Sequence, residues 1–167
     1  MSLADTLAFA RAFAVIPIVW AIANDQHDLG LAIFLAAAAT DAIDGWIARR
    51  RGPTALGALL DPLADKVLVV VPLIALSAIG VGWPVTLMTV LTAAREVVIA
   101  AARVRTFRQG TNLSADTVAK AKSTAQMIGV ALVIVGGRPW AVLGAGLVGL
   151  AFLVSLLTLR RYLPASA

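Results

Sequence analysis

Six apolar segments constrain this chain more than any other feature. Each is close to the roughly 20 residues that span the hydrocarbon of a bilayer. They run at about 3–24, 29–50, 57–80, 83–106, 118–136 and 139–159. Gly52-Pro53, the stretch from Gly80 to Pro84 and the stretch from Gly136 to Pro139 separate them, as turn chemistry requires. Asn24 to Gly30 is a polar, acidic link. Phe107 to Asp116 is a second polar link, in which Ser114 or Asp116 can cap the fifth helix. The 167 residues are 60% hydrophobic and 14% charged, with mean hydropathy +0.92, which leaves too little polar surface for a water-soluble domain. The expected fold class is all-α: one integral membrane domain over residues 1–167, a bundle of six transmembrane helices. The first segment has no basic lead and no A-x-A-like cleavage site, so it reads as a retained helix and not a signal peptide.

Lys and Arg near the segment ends set the orientation. An even number of helices puts both termini on one side. That side receives Arg49, Arg50, Arg51, Arg103, Arg105, Arg108, Lys120, Lys122, Arg160 and Arg161, and the other receives Arg138. Both termini, the 2–3 turn and the 4–5 link are therefore expected in the cytoplasm, with the protein in the plasma (inner) membrane. The net charge of +5 falls in these membrane-flanking clusters, which argues against nucleic acid as a partner. With no cysteine and one histidine, His27, neither thiolate nor His-rich metal sites can form.

Four aspartates break the apolar pattern: Asp41 and Asp44 at i, i+3, then Asp61 and Asp65 at i, i+4. On helices, each spacing puts both carboxylates on one face. Charge inside a membrane is costly and marks function. Four carboxylates meeting between two helices need cations, and carboxylate oxygens suit Mg²⁺ or Mn²⁺. Asp41 lies roughly 12 Å along its helix from Arg49, at 1.5 Å per residue, and Asp65 reaches a similar depth from Gly57. The two pairs can share one cavity open to the cytoplasm, suited to a substrate with a soluble head and a lipid tail.

Written out, the stretch is Asp41-x2-Asp44-Gly45-x2-Ala48-Arg49-x7-Gly57-x3-Asp61-x3-Asp65. It closely resembles the signature of the CDP-alcohol phosphatidyltransferases, D-x2-D-G-x2-A-R-x8-G-x3-D-x3-D. Every fixed residue type is present. The linker before Gly57 is one residue shorter, in the turn that leads toward Thr54, so the spacing within each Asp pair is untouched. Further stretches resemble the phosphatidylglycerophosphate synthase branch, which joins CDP-diacylglycerol to glycerol 3-phosphate. Leu7 to Pro17 resembles its opening helix with Arg11 in register, although Asp5 stands in place of Asn. Ala94 to Ile99 resembles its fourth helix, and Lys120 to Met127 its K-x-K-T-T-x-Q segment, with Ser123 replacing a Thr.

The resemblance implies two divalent ions, Mg²⁺ or Mn²⁺, held by Asp41, Asp44, Asp61 and Asp65. Asp65 would also take the proton of the attacking hydroxyl. It implies CDP contacts at Gly45, Ala48, Arg49, Thr54 and Gly57. For the acceptor's phosphate, Arg95, Arg103, Lys120 and Lys122 near the cytoplasmic ends of helices four and five are the expected cations. Lys66 is expected to neutralise the neighbouring acidic pair. Glu96 needs a partner other than Arg95, since adjacent residues do not share a helix face. The implied reaction transfers the phosphatidyl group of CDP-diacylglycerol to glycerol 3-phosphate and releases CMP, by in-line displacement at two metals. The resemblance also implies a homodimer among membrane lipids. Cardiolipin synthase of the CMP-releasing type, or another alcohol acceptor, is the alternative within the family. An ion-binding transporter is the alternative outside it. Paired broken helices or repeats would favour the transporter, and the sequence has neither.

Overall fold

Every expected apolar segment folds as one helix: α1 (Leu3–Ala23), α2 (His27–Arg51), α3 (Ala55–Ala78), α4 (Trp83–Phe107), α5 (Thr117–Val135) and α6 (Arg138–Leu159). The computed structural model describes residues 3–51, 55–107 and 117–159, and side chains within 6–40, 63–99 and 121–157. Among the described residues there is no strand. The helix ends lie within two residues of those expected.

Two of the turns close by the same backbone device. After α1, the N–H of Gln26 bonds the carbonyl of Ala21 at 2.9 Å and that of Asp25 bonds Ile22 at 3.2 Å, with Asp25 in the left-handed region at φ 56°. After α3, Val81 bonds Leu76 and Gly80 bonds Ser77, with Gly80 at φ 77°. This 6→1 and 5→2 pattern satisfies carbonyls that the helix end leaves unpaired. Glycine takes the left-handed position easily, and aspartate is among the few other residues that tolerate it. His27 is more than a loop residue: its Nδ1 lies 3.0 Å from the carbonyl of Ile134. It ties the start of α2 to the end of α5.

α1 packs against α2 and α3, and α5 packs against α6. Contacts of α3 with α4, α2 with α5, and α4 with α6 complete the bundle. Ile18, Ile22, Phe34, Leu73, Val133 and Val148 are among the side chains that fill the core between them. The α5–α6 crossing is set by two glycines. A Cβ built on Gly144 would stand 2.5 Å from the carbonyl oxygen of Gly129, and one on Gly129 would stand 2.8 Å from that of Gly144. Only residues without side chains let the two backbones meet, a device common where helices pack in lipid. Across α3 and α4, Ser77 and Thr89 share a hydrogen bond of 2.8 Å, and each hydroxyl also bonds the carbonyl four residues back.

The distribution of polarity is that of helices facing lipid. Phe13, Ile16 and Trp20 on α1, Val90 and Val97 on α4, and Leu157 on α6 point outward, while Arg11, Thr89, Thr92, Gln126 and Ser155 are buried. A water-soluble bundle would reverse that arrangement. Among the residues whose side chains are described, Thr6–Ala23 and Arg138–Leu157 are long and apolar enough to cross a membrane, and His27–Thr40 and Ala121–Val135 are the described apolar stretches of α2 and α5.

Candidate active site

The buried stripe of α1 runs Ala8, Arg11, Val15, Ile18 and Ile22, at alternating steps of three and four. That periodicity turns one face of the helix inward, and Arg11 occupies a core position on it, 1% exposed. Its Nη1 donates to Asp65 Oδ1 on α3 at 2.8 Å, and its Nε donates to Thr40 Oγ1 on α2 at 3.4 Å. The Thr40 hydroxyl in turn donates to the carbonyl of Ala37 at 2.7 Å. Thr40 immediately precedes Asp41, and Asp65 is the last carboxylate of the motif. The residues that flank the two halves of the motif therefore converge on one guanidinium. The Asp65 side chain is 31% exposed, buried enough for strong interactions yet open on one side.

A second charged cluster joins α3 to α4. Lys66 Nζ lies 2.9 Å from Glu96 Oε2, and Arg95 Nη1 contacts Glu96 Oε1. All three side chains are at least three-quarters buried. Two expectations change here. Lys66 does not pair with the neighbouring Asp65. Successive helical residues diverge by about 100°, so Asp65 reaches α1 while Lys66 reaches α4. Glu96 does find a partner on another helix, in Lys66, but Arg95 reaches it as well, because two long side chains can bend together without sharing a face. On α5, Lys122 Nζ lies 3.4 Å from Ser155 Oγ of α6.

Between α2 and α5 runs an apolar groove of about 530 Å³, lined by Phe34, Leu35, Ala38, Thr124, Met127 and Ile128 among others. Its described lining on α2 reaches Ala38 and Ala39, just before Thr40 and the motif.

Thr54 lies outside the described residues, as do the side chains of Asp41, Asp44, Ala48, Arg49, Asp61, Arg103 and Lys120 and the surroundings of Gly45 and Gly57. The helices carrying these positions are described: α2 holds residues 41–49, α3 holds 57–65, α4 holds 103 and α5 holds 120. Among the described residues, no three acidic or histidine side chains gather as a metal cluster. The donor set still fits divalent cations. Asp65 supplies a half-buried carboxylate, Asp61 sits one turn before it on α3, and the Arg11 contacts bring residue 40 of α2 beside them.

Residues 1–158 match the family model described as CDP-alcohol phosphatidyltransferase. The chain belongs to the CDP-alcohol phosphatidyltransferase family. Proteins named CDP-diacylglycerol–glycerol-3-phosphate 3-phosphatidyltransferase from Escherichia coli (strain K12), Shigella flexneri and Shigella boydii serotype 4 are each 36% identical to it over 138 residues. That span covers 80% of this chain and 76% of each relative. As a CDP-alcohol phosphatidyltransferase it is an enzyme of phospholipid biosynthesis. Two residues of this phosphatidyltransferase escaped the motif: Glu96, which gathers Lys66 and Arg95, and the buried Thr92. Glu96 carried a signal in the sequence, since an acid within an apolar helix demands a partner. A threonine in such a helix is too common to carry one.

Proposed function

We propose that the enzyme transfers the phosphatidyl group of CDP-diacylglycerol to glycerol 3-phosphate. The observation that carries this reading is the 36% identity, over 80% of the chain, to proteins named for that reaction. The buried Lys66–Glu96–Arg95 cluster supports a phosphorylated acceptor, because cations sequestered between helices suit a phosphate better than a neutral alcohol. The apolar groove between α2 and α5, whose described lining reaches the residues just before the motif, supports a substrate with an acyl tail.

In this reading the acceptor's hydroxyl oxygen attacks the phosphorus that bears diacylglycerol. The bond from that phosphorus to the CMP oxygen breaks, CMP leaves, and the hydroxyl proton passes to Asp65. Asp41, Asp44, Asp61 and Asp65 would hold two divalent ions, Mg²⁺ or Mn²⁺. Those ions would supply charge neutralisation at both phosphates of the CDP bridge. Arg11 fixes the carboxylate of Asp65 from behind, so its orientation does not depend on substrate. Gly45 and Ala48, with small side chains one turn apart on α2, let a flat pyrimidine approach the backbone, flanked by Arg49, Thr54 and Gly57. Arg95, Arg103, Lys120 and Lys122 receive the acceptor's phosphate.

The same reading places six spans in the bacterial inner membrane, both termini and the site toward the cytoplasm, in a homodimer. Mass analysis of the lipid formed from CDP-diacylglycerol and glycerol 3-phosphate tests it. The expected product is phosphatidylglycerol phosphate. Consumption of CDP-diacylglycerol without that product would contradict the assignment.

A further inference from the structure

One face of α4 carries Thr92, Arg95 and Glu96, at i, i+3 and i+4, a spacing that makes side chains neighbours. Thr92 is 1% exposed, yet its hydroxyl has no hydrogen-bond partner among the described residues. A threonine in a helix ordinarily returns its hydroxyl to the carbonyl four residues back. Thr89, on the same helix, does so with Val85 at 2.8 Å. Arg95 Nε is likewise buried without a partner, although the far end of its guanidinium is held at Glu96. Of the three buried side-chain atoms left without a hydrogen bond among the described residues, two are these donors, one turn apart, and the third, Glu96 Oε2, has the Lys66 ammonium 2.9 Å away; buried polar groups are almost always satisfied. Beside them, Lys66 and Arg95 bring two positive charges against the single negative charge of Glu96.

We propose that Thr92 and Arg95 bind phosphate oxygens of the acceptor substrate, and that Glu96 is the positioning residue that holds Arg95 and Lys66 in place for it. The inference rests on the reading that the acceptor is phosphorylated. Two empty donors and, among the described side chains of the cluster, two cations to one anion ask for a ligand with negative charge and several acceptor oxygens, and a phosphate supplies both. Glu96 draws on one end of the guanidinium and leaves its Nε edge turned to the ligand. Lys66 follows Asp65 directly on α3, so the charged cluster on α4 is tied through Lys66 to the helical turn that carries the group that takes the proton. The phosphate could belong to a soluble monoester or to a lipid headgroup, and the test separates the two.

The experiment uses the full chain in lipid nanodiscs, with CMP release followed while each substrate is varied. Thr92→Val keeps the shape and removes only the hydroxyl. It is expected to raise KM for glycerol 3-phosphate roughly tenfold, the effect of one lost hydrogen bond to a charged group. KM for CDP-diacylglycerol should stay within about twofold. A purely structural threonine would leave both KM values unchanged whatever the change in stability, and that result overturns the proposal. Glu96→Gln makes the cluster more positive. Simple attraction would lower KM for glycerol 3-phosphate, whereas a positioning role raises it and Glu96→Asp restores part of the loss. A lowered KM overturns the role given to Glu96.

The same shift seen with phosphatidylglycerol, and not with glycerol 3-phosphate, assigns the site to a lipid phosphate. If the wild-type enzyme releases no CMP with either, it is the proposed function that fails. The site is then read from inorganic phosphate alone: a rise in the melting temperature of wild type but not of Thr92→Val upholds it, and no rise in either overturns it.

Discussion

Arg11 and Asp65 are 54 residues apart in the chain and 2.8 Å apart in the fold. Their ion pair locks the first helix to the third at the end of the aspartate motif. Arg11→Met removes the only charge of α1's buried stripe and strips Asp65 of that partner. Because Asp65 is partly solvated, the full cost of a broken buried pair does not apply, and stability should fall by about 1–3 kcal/mol. Arg11→Lys keeps the charge but loses the planar fork that also reaches Thr40, so it should fall between the two. Thermal melts of the purified variants check this. An unchanged midpoint for Arg11→Met would mean that the pair does not hold the helices.

Asp61→Asn tests the metal reading. It should cut turnover by at least roughly 10²–10³-fold, the scale of losing a positioned electrostatic group. It should also abolish any rise in melting temperature that Mn²⁺ gives the wild-type protein, while the melting temperature without metal stays near wild type. Turnover close to wild type would rule out Asp61 as a metal ligand.

The α5–α6 crossing makes a paired prediction. A methyl at Gly144 meets backbone of the facing helix, which cannot move aside as a flexible side chain can. Gly144→Ala should therefore destabilise by about 1–3 kcal/mol, as overpacking does. Gly146→Ala, two residues on and with nothing within 4 Å, should be neutral or slightly stabilising. Equal melting temperatures for the two variants would contradict the close crossing.

Lys122 sits on α5 within 3.4 Å of Ser155. If it serves the acceptor's phosphate, Lys122→Ala raises KM for glycerol 3-phosphate by about tenfold or more and leaves KM for CDP-diacylglycerol nearly unchanged. Initial-rate measurements in each substrate decide it, and an equal rise in both argues for an anchoring role at the headgroups.

The six helices could be read from the chain because each apolar run is long and unbroken and because Gly80 and Gly136 stand where turns need them. The aspartate pairs were visible for a similar reason: their spacing is local, within one helical turn. Contacts that depend on which helices become neighbours were not visible. Nothing in the sequence joins Arg11 to Asp65, or Lys66 to Glu96 rather than to the acid beside it. Gly129 and Gly144 look like any other glycines in apolar helices until the crossing brings them together. Thr92 gains meaning only from burial and from the missing bond that Thr89 makes.

The most direct measurement is an acceptor screen. Purified enzyme receives CDP-diacylglycerol and Mg²⁺ or Mn²⁺, and CMP release is followed with glycerol 3-phosphate, phosphatidylglycerol, inositol phosphate and serine in turn. Metal-dependent release with glycerol 3-phosphate alone is the predicted result. Release with phosphatidylglycerol in its place would make the enzyme a cardiolipin synthase and contradict the account of its acceptor.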